Sequence, residues 1–358
     1  MRAVTPMILF RADATPTMGT GHVMRCLTLA EALRDRGFDV AFAAAALTPS
    51  IERRLAAERI PVRPIDPATD DLAGATLAIA RELGANAVVV DAYHLSADWR
   101  LALRSFGVPI LAFQDQDDGV SLHADLVLNA AADPTDGKWR RAAPDASFLT
   151  GPRHVLLRRE LRRAMVAASD PVGARRSILV TFGGADPAGL TLPVTAALDR
   201  LLGPDATLDV VIGGSVPEAG GLAVRVAALG ERIAIHRKRI AIHLDPLEMG
   251  PLIGRAGLAV SAAGGTIGEL AALGVPALIA IVAENQVAGS AAAVADGWCE
   301  AFDARDPYAV EAIAQRAATL WADRPQREAM ARRTRGLIDA DGAERVVDAL
   351  IGAMQTLW

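Results

Sequence analysis

The stretch MILFRADATPTMGTGHVMRCLTLAEALRDR, residues 7–36, decides the fold. An apolar run of strand length, 7–11, gives way to a loop that holds Gly19 and Gly21. From about residue 22 to 36, Leu27, Leu29, Ala30 and Leu33 recur at helical spacing, and Gly37 stands where a helix stop is expected. Strand, glycine loop and helix in that order open a βαβ unit, whose parallel sheet is covered on both faces. The glycines allow close backbone approach to a ligand, and the helix start offers unpaired N–H groups to an anion.

The same alternation continues outward. Strands are expected at 40–44, 87–91, 110–114 and 126–129, each ending in a polar residue or turn where open parallel sheets place their ligands. Residues 130–146, with Pro134, Gly137 and Pro144, carry no period and read as a loop. RHVLLRRELRR at 153–163 reads as a solvated face or an interdomain helix, and 169–173 resembles a linker. The pattern restarts with a strand at 177–182 and a helix at 190–202, then strands at 207–212, 233–236, 258–261 and 277–281. Helices at 307–323 and 326–358, the latter broken near 339–342, close the chain. The expected architecture is α/β, with Rossmann-like parallel-sheet domains at 1–168 and 177–358, a linker at 169–176, and a last helix able to cross back to the first domain. The length of 358 residues agrees, because single cores stop growing beyond roughly 250–300 residues.

Composition removes several classes. Hydrophobic residues at 52% and charged residues at 22% exclude wholesale disorder. A net charge of −5 and scattered tryptophans argue against a nucleic-acid surface. Cys26 and Cys299 show no CxxC or metal-ligand spacing, and His123, His154, His236 and His243 show none either. No metal or cofactor is expected. The N-terminal apolar stretch stops at Arg11 and Asp13, too short for a signal sequence, and the apolar stretch 270–283 contains Gly274 and Pro276. The chain is expected to be cytoplasmic, without stable membrane association.

Three glycine loops carry the candidate chemistry. The first fails as a dinucleotide fingerprint, because Met24 takes the third small position and the second strand ends without an acid. It holds His22 at a helix start, where Ser, Thr, Asp and Asn are the usual caps. A helix N-terminus disfavours the imidazolium, so His22 is either a structural residue or a neutral ring able to accept a proton. Cys26 reads as a core residue. The second loop, SAAGGTIGE at 261–269, follows an apolar strand and enters a helix. Gly264, Gly265 and Thr266 there can cradle an anion, and Glu269 can favour the helix dipole or accept hydrogen bonds from a sugar diol. Asn285 and Gln286 follow the next strand, as crevice or plain loop residues. Gly183 and Gly184 make the third loop, a weak signal alone.

FRAD…MGTGHVMRCLTLAEAL, VVVDAYHLS, LVTFGGADP and SAAGGTIGELAALGVPALIAIVAENQ resemble the pseudaminic-acid-pathway UDP-sugar hydrolases, which hydrolyse UDP-2,4-diacetamido-2,4,6-trideoxy-β-L-altropyranose. The likeness runs in order from residue 9 to about 302, most specifically over Gly19, Gly21, His22 and Arg25. It implies a GT-B-like fold, with the two domains facing across a cleft, UDP held mainly by the second and the sugar by the first. It places Gly264, Gly265 and Thr266 near the pyrophosphate and Glu269 near the ribose hydroxyls. It makes His22 the catalytic histidine and Tyr93 an active-site residue; Asp91 beside Tyr93 is a loop-orienting group or an ordinary strand-end acid. Arg158 falls in a loop that approaches substrate. The implied reaction is metal-independent hydrolysis of the anomeric C–O bond with inversion, releasing UDP and the free sugar. FQDQDDG departs from the family pattern, with Gln116 between Asp115 and Asp117, and LVLNAAAD lacks an amide-rich continuation. A GT-B UDP-sugar glycosyltransferase and a non-catalytic nucleotide-sugar sensor are the alternatives.

Overall fold

The computed structural model of the protein describes residues 5–92, 95–115, 120–131, 141–166, 171–231, 239–306 and 308–356. These form two compact units. One comprises residues 1–15, 22–156 and 341–358, and the other 16–21 and 157–340.

The first unit is built on strands β1 (Met7–Ala12), β2 (Asp39–Ala44), β3 (Val62–Pro64), β4 (Ala85–Asp91), β5 (Ile110–Phe113), β6 (Leu126–Asn129) and β7 (Ser147–Thr150). They pair in parallel in the order β3-β2-β1-β4-β5-β6-β7. The direction of winding reverses between β1 and β4, the place where such sheets open a crevice beyond their carboxyl ends. Helices α1 (Gly21–Asp35) and α2 (Pro49–Ala57) cover one face, and α3 (Leu72–Leu83) and α4 (Ala97–Arg104) cover the other. Ile8, Phe10, Leu29 and Leu33 are fully buried on the α1 side, and Leu9, Val88 and Val90 on the opposite side. Alternate β1 residues therefore feed different cores, which is why the strand is apolar throughout.

Strands β8 (Ser177–Thr181), β9 (Thr207–Ile212), β10 (Ile240–Leu244), β11 (Ala256–Ala262), β12 (Ala277–Ile281) and β13 (Cys299–Asp303) form the second sheet. The order is β10-β9-β8-β11-β12-β13, again parallel, with its reversal between β8 and β11. Its helices are α5 (Arg159–Val166), α6 (Thr191–Leu201), α7 (Ala219–Glu231), α8 (Gly250–Arg255), α9 (Thr266–Ala272), α10 (Val287–Ala295), α11 (Ala309–Ala322) and α12 (Arg324–Arg333). Leu161 of α5 is fully buried with Leu179, Ile253 and Ile279, so residues 157–166 pack with the second unit. The last helix, α13 (Gly342–Thr356), lies in the first unit, where Val346, Val347 and Leu350 join the core beneath α1.

Several local expectations change. Strands β3, β7 and β13 were not expected; each is an edge strand or carries partly exposed positions, so none presents an apolar run. The expected strand 233–236 lies outside the described residues, and the strand that pairs with β9 is Ile240–Leu244. The expected break in the closing helix is present but wider, with residues 334–341 separating α12 from α13 and Gly336 at positive φ within it.

Candidate functional site

The site in the first unit begins with adjacency. Ala12 and Asp91 are register partners at the carboxyl ends of β1 and β4, and β5 runs alongside β4. On α1, His22, Arg25 and Cys26 stand at i, i+3 and i+4 and share one face. That face meets Asp91. His22 Nδ1 lies 2.7 Å from Asp91 Oδ1, and Arg25 Nη2 donates to the same oxygen at 2.8 Å while its Nε donates to Oδ2. Arg25 Nη1 donates to Asp115 Oδ2 at 2.5 Å, and its guanidinium stacks on Phe113 with 4.6 Å to the ring centroid.

Electrostatics fixes the roles. Burial alone pushes the Asp91 carboxyl upward, but the charge and hydrogen bonds of Arg25, then those of His22, outweigh it and hold it well below the usual carboxylate range. An ionised carboxylate can only accept, so Nδ1 of His22 carries the proton, and in the neutral imidazole the lone pair is then on Nε2. With 16% of its side chain exposed, the imidazole is positioned but reachable. Burial, then the neighbouring Asp91 charge, push the Cys26 thiol well above its ordinary value, so Cys26 is a packing residue and no nucleophile. Arg11 and Asp13 pair at 2.7 Å deeper in the unit, where Asp13 also accepts from the N–H groups of Ala45 and Ala46. That pair braces the loop after β2.

The glycine loop at 16–21 groups with the second unit. Gly19 has φ +84°, a conformation that favours glycine, whereas Gly21 is the first residue of α1. A Cβ at Gly184 would fall 2.1 Å from Thr20 Oγ1, so a larger residue there would have to displace the Thr20 side chain; Gly183 has φ +79° and nothing within 4 Å of where a Cβ would stand. The Asp186 carboxylate accepts from Leu190 N at 2.9 Å and Thr191 N at 3.0 Å at the start of α6.

Beyond β11, Gly264 and Gly265 have nothing within 4 Å of where a Cβ would stand, and Thr266 begins α9. Glu269, in the first turn, accepts from Arg158 Nε at 3.2 Å and Nη2 at 2.8 Å. Gln286 Oε1 accepts from Val282 N at 2.9 Å, so its carbonyl braces the loop after β12. Tyr93 and the side chain of Asn285 lie outside the described residues, as do Gln116 and Asp117. Among the described residues no group of three or more His, Cys, Asp or Glu is placed to hold a metal ion, and no helix is long and apolar enough to cross a membrane.

Solved structures match the chain almost end to end. MurG of Acinetobacter baumannii is 21% identical with a TM-score of 0.64, over 98% of this chain and 100% of that one. The fold is GT-B-like. The S. aureus MnaA–UDP co-structure is 15% identical with a TM-score of 0.63, over 99% and 98% of the two chains. HepE of Anabaena, in complex with UDP and glucose, is 14% identical with a TM-score of 0.60, over 97% and 100%. Among curated proteins, the uncharacterized protein MJ1062 of Methanocaldococcus jannaschii is 24% identical over 208 residues, 56% of this chain and 41% of that protein. The chain thus matches about two fifths of that relative's length. No family model matches the chain.

Sequence reasoning named His22 and Arg25 but left Asp91 between two roles and gave Asp115 none. The available signal was the i, i+3, i+4 spacing on α1, which puts the three side chains on one face. Glu160, which also contacts Arg158, carried no signal at all.

Proposed function

We propose that this protein hydrolyses a UDP-linked 2,4-diacetamido-2,4,6-trideoxy sugar, with the L-altropyranose as the favoured substrate, at its anomeric C–O bond. The observation that carries the reading is the His22 imidazole held through Nδ1 by a buried, arginine-paired carboxylate. Nε2 takes a proton from water as the water oxygen attacks the anomeric carbon. The bond from that carbon to the diphosphate oxygen breaks, UDP leaves with the electron pair, and the sugar is released with inverted configuration. Asp91 stabilises the imidazolium formed, and the proton then passes to solvent. General-base help of this kind contributes about 10²–10⁴-fold. His22 either abstracts the proton or orients the water, and both roles need the same tautomer.

The nucleotide is assigned to the second unit. Gly264 and Gly265 leave their backbone uncovered on one side, which suits close approach of a diphosphate, and Glu269 suits the ribose diol. The resemblance of residues 9–302 to UDP-sugar hydrolases supports the choice of water as acceptor. The second reading, glycosyl transfer, is favoured by the MurG-like fold, and the same imidazole would then deprotonate an acceptor hydroxyl. Incubation with the UDP-sugar and no acceptor separates them. Rapid UDP release is expected, and release that requires an added acceptor would replace hydrolysis by transfer.

A further inference from the structure

Three charged side chains beside the second sheet form a chain, of which the reading above uses only Glu269. Glu160 of α5 binds the start of α8, with Oε1 accepting from Met249 N at 3.1 Å and Oε2 accepting from Gly250 N at 2.8 Å. Arg158, two residues earlier, places Nη1 3.4 Å from Glu160 Oε1 and donates from Nε and Nη2 to Glu269. Both of those hydrogen bonds fall on Oε1 of Glu269. Oε2 accepts from no described residue, although only 14% of the Glu269 side chain is exposed. One carboxylate oxygen is thus pinned and the other left open.

We propose that Arg158 is a positioning residue that fixes Glu269 so that Oε2 receives the ribose hydroxyls of the bound nucleotide. This rests on the nucleotide reading given above. A glutamate on a short helix has three side-chain torsions to freeze before it can meet two vicinal O–H donors. A planar guanidinium that donates twice to one oxygen fixes the position of that oxygen, which a lysine ammonium does less well. Glu160 holds Arg158 from the other side and is itself held by the backbone of α8, so the alignment reaches Glu269 from outside its own helix. Arg158 acts through Glu269 and leaves the diphosphate to other groups.

The test is calorimetric titration of the full chain with UDP and with 2′,3′-dideoxy-UDP, which lacks both hydroxyls, with the melting temperature of each variant as a folding control. The native protein is expected to prefer UDP by about tenfold or more, as for a lost hydrogen bond to a charged group. Arg158→Met and Glu269→Gln should each bring that ratio below about threefold by weakening UDP while leaving the dideoxy nucleotide nearly unchanged. Arg158→Lys should restore part of the ratio, which a merely structural role would not require. Equal weakening of both nucleotides by Arg158→Met would overturn the proposal, because Arg158 would then act on a part common to both. Native protein that binds both nucleotides equally would overturn the ribose assignment and Arg158's role with it. Native protein that binds neither would sink the nucleotide reading itself.

Discussion

Asp91→Asn bears most directly on how His22 works. The substitution keeps the side-chain shape and removes the negative charge beside Nδ1, which lies 2.7 Å from Oδ1. Protonating Nε2 creates an imidazolium whose charge is centred about 4 Å from that carboxylate, an attraction of about 4 kcal/mol at an effective dielectric near 20. Arg25 repels the new charge in native and substituted protein alike, so its contribution drops out of the difference. About 4 kcal/mol is then lost, or about 10³-fold in rate at 1.36 kcal/mol per decade. The asparagine amide can also donate to Nδ1, which moves the proton to Nε2 and removes the base. Together these place the expected fall in kcat at about 10³-fold, within the range for loss of a general base. UDP release from the nucleotide sugar is followed in single-turnover mode, and UDP affinity by calorimetry. Affinity should stay within about threefold, since Asp91 touches no nucleotide in this mechanism. A folded Asp91→Asn protein with kcat within about threefold of native would refute the dyad.

Three further outcomes follow from the same contacts. The folded-state pKa of Asp91 is depressed, so its contribution to stability is complete above the unfolded value near 4 and is lost as pH falls from there toward the folded value. Urea midpoints of native and Asp91→Asn protein should therefore differ at neutral pH and converge below about pH 4; a gap that does not change with pH would contradict the assignment. Burial, then Asp296 and Glu300, push the Cys299 thiol up to about 12, and Cys26 is also buried and raised. Neither thiol should react with a chromogenic disulfide at pH 8 until the protein is unfolded, and a fast native reaction would show one of them exposed. Leu350 of α13 is fully buried in the first unit, so Leu350→Ala should cost about 2–5 kcal/mol in equilibrium unfolding, and a loss under about 0.5 kcal/mol would place α13 outside that core.

Strand after strand was legible where a strand is buried on both faces. β1, β4, β8, β9 and β12 are mostly apolar because helices cover both sides of each sheet. β3, β7 and β13 lie at sheet edges, where Arg63, Ser147 and Glu300 are tolerated, and their sequences lose the pattern. The end of α1 was readable to within a residue or two, because Gly37 marks it.

The sequence alone determined the alternation of strand and helix, the glycine loops at the carboxyl ends of β1, β8 and β11, and the presence of His22 in the first turn of α1. These are local properties, written in periodicities of two and 3.6 residues and in the backbone freedom of glycine. Only the tertiary structure decided which groups meet. Asp91 is 69 residues from His22, Asp115 is 90 from Arg25, and Arg158 is 111 from Glu269. Those encounters depend on which strands become neighbours and on where α5 packs. No short-range pattern encodes that, because strand order is set by the burial of whole faces rather than by any one residue.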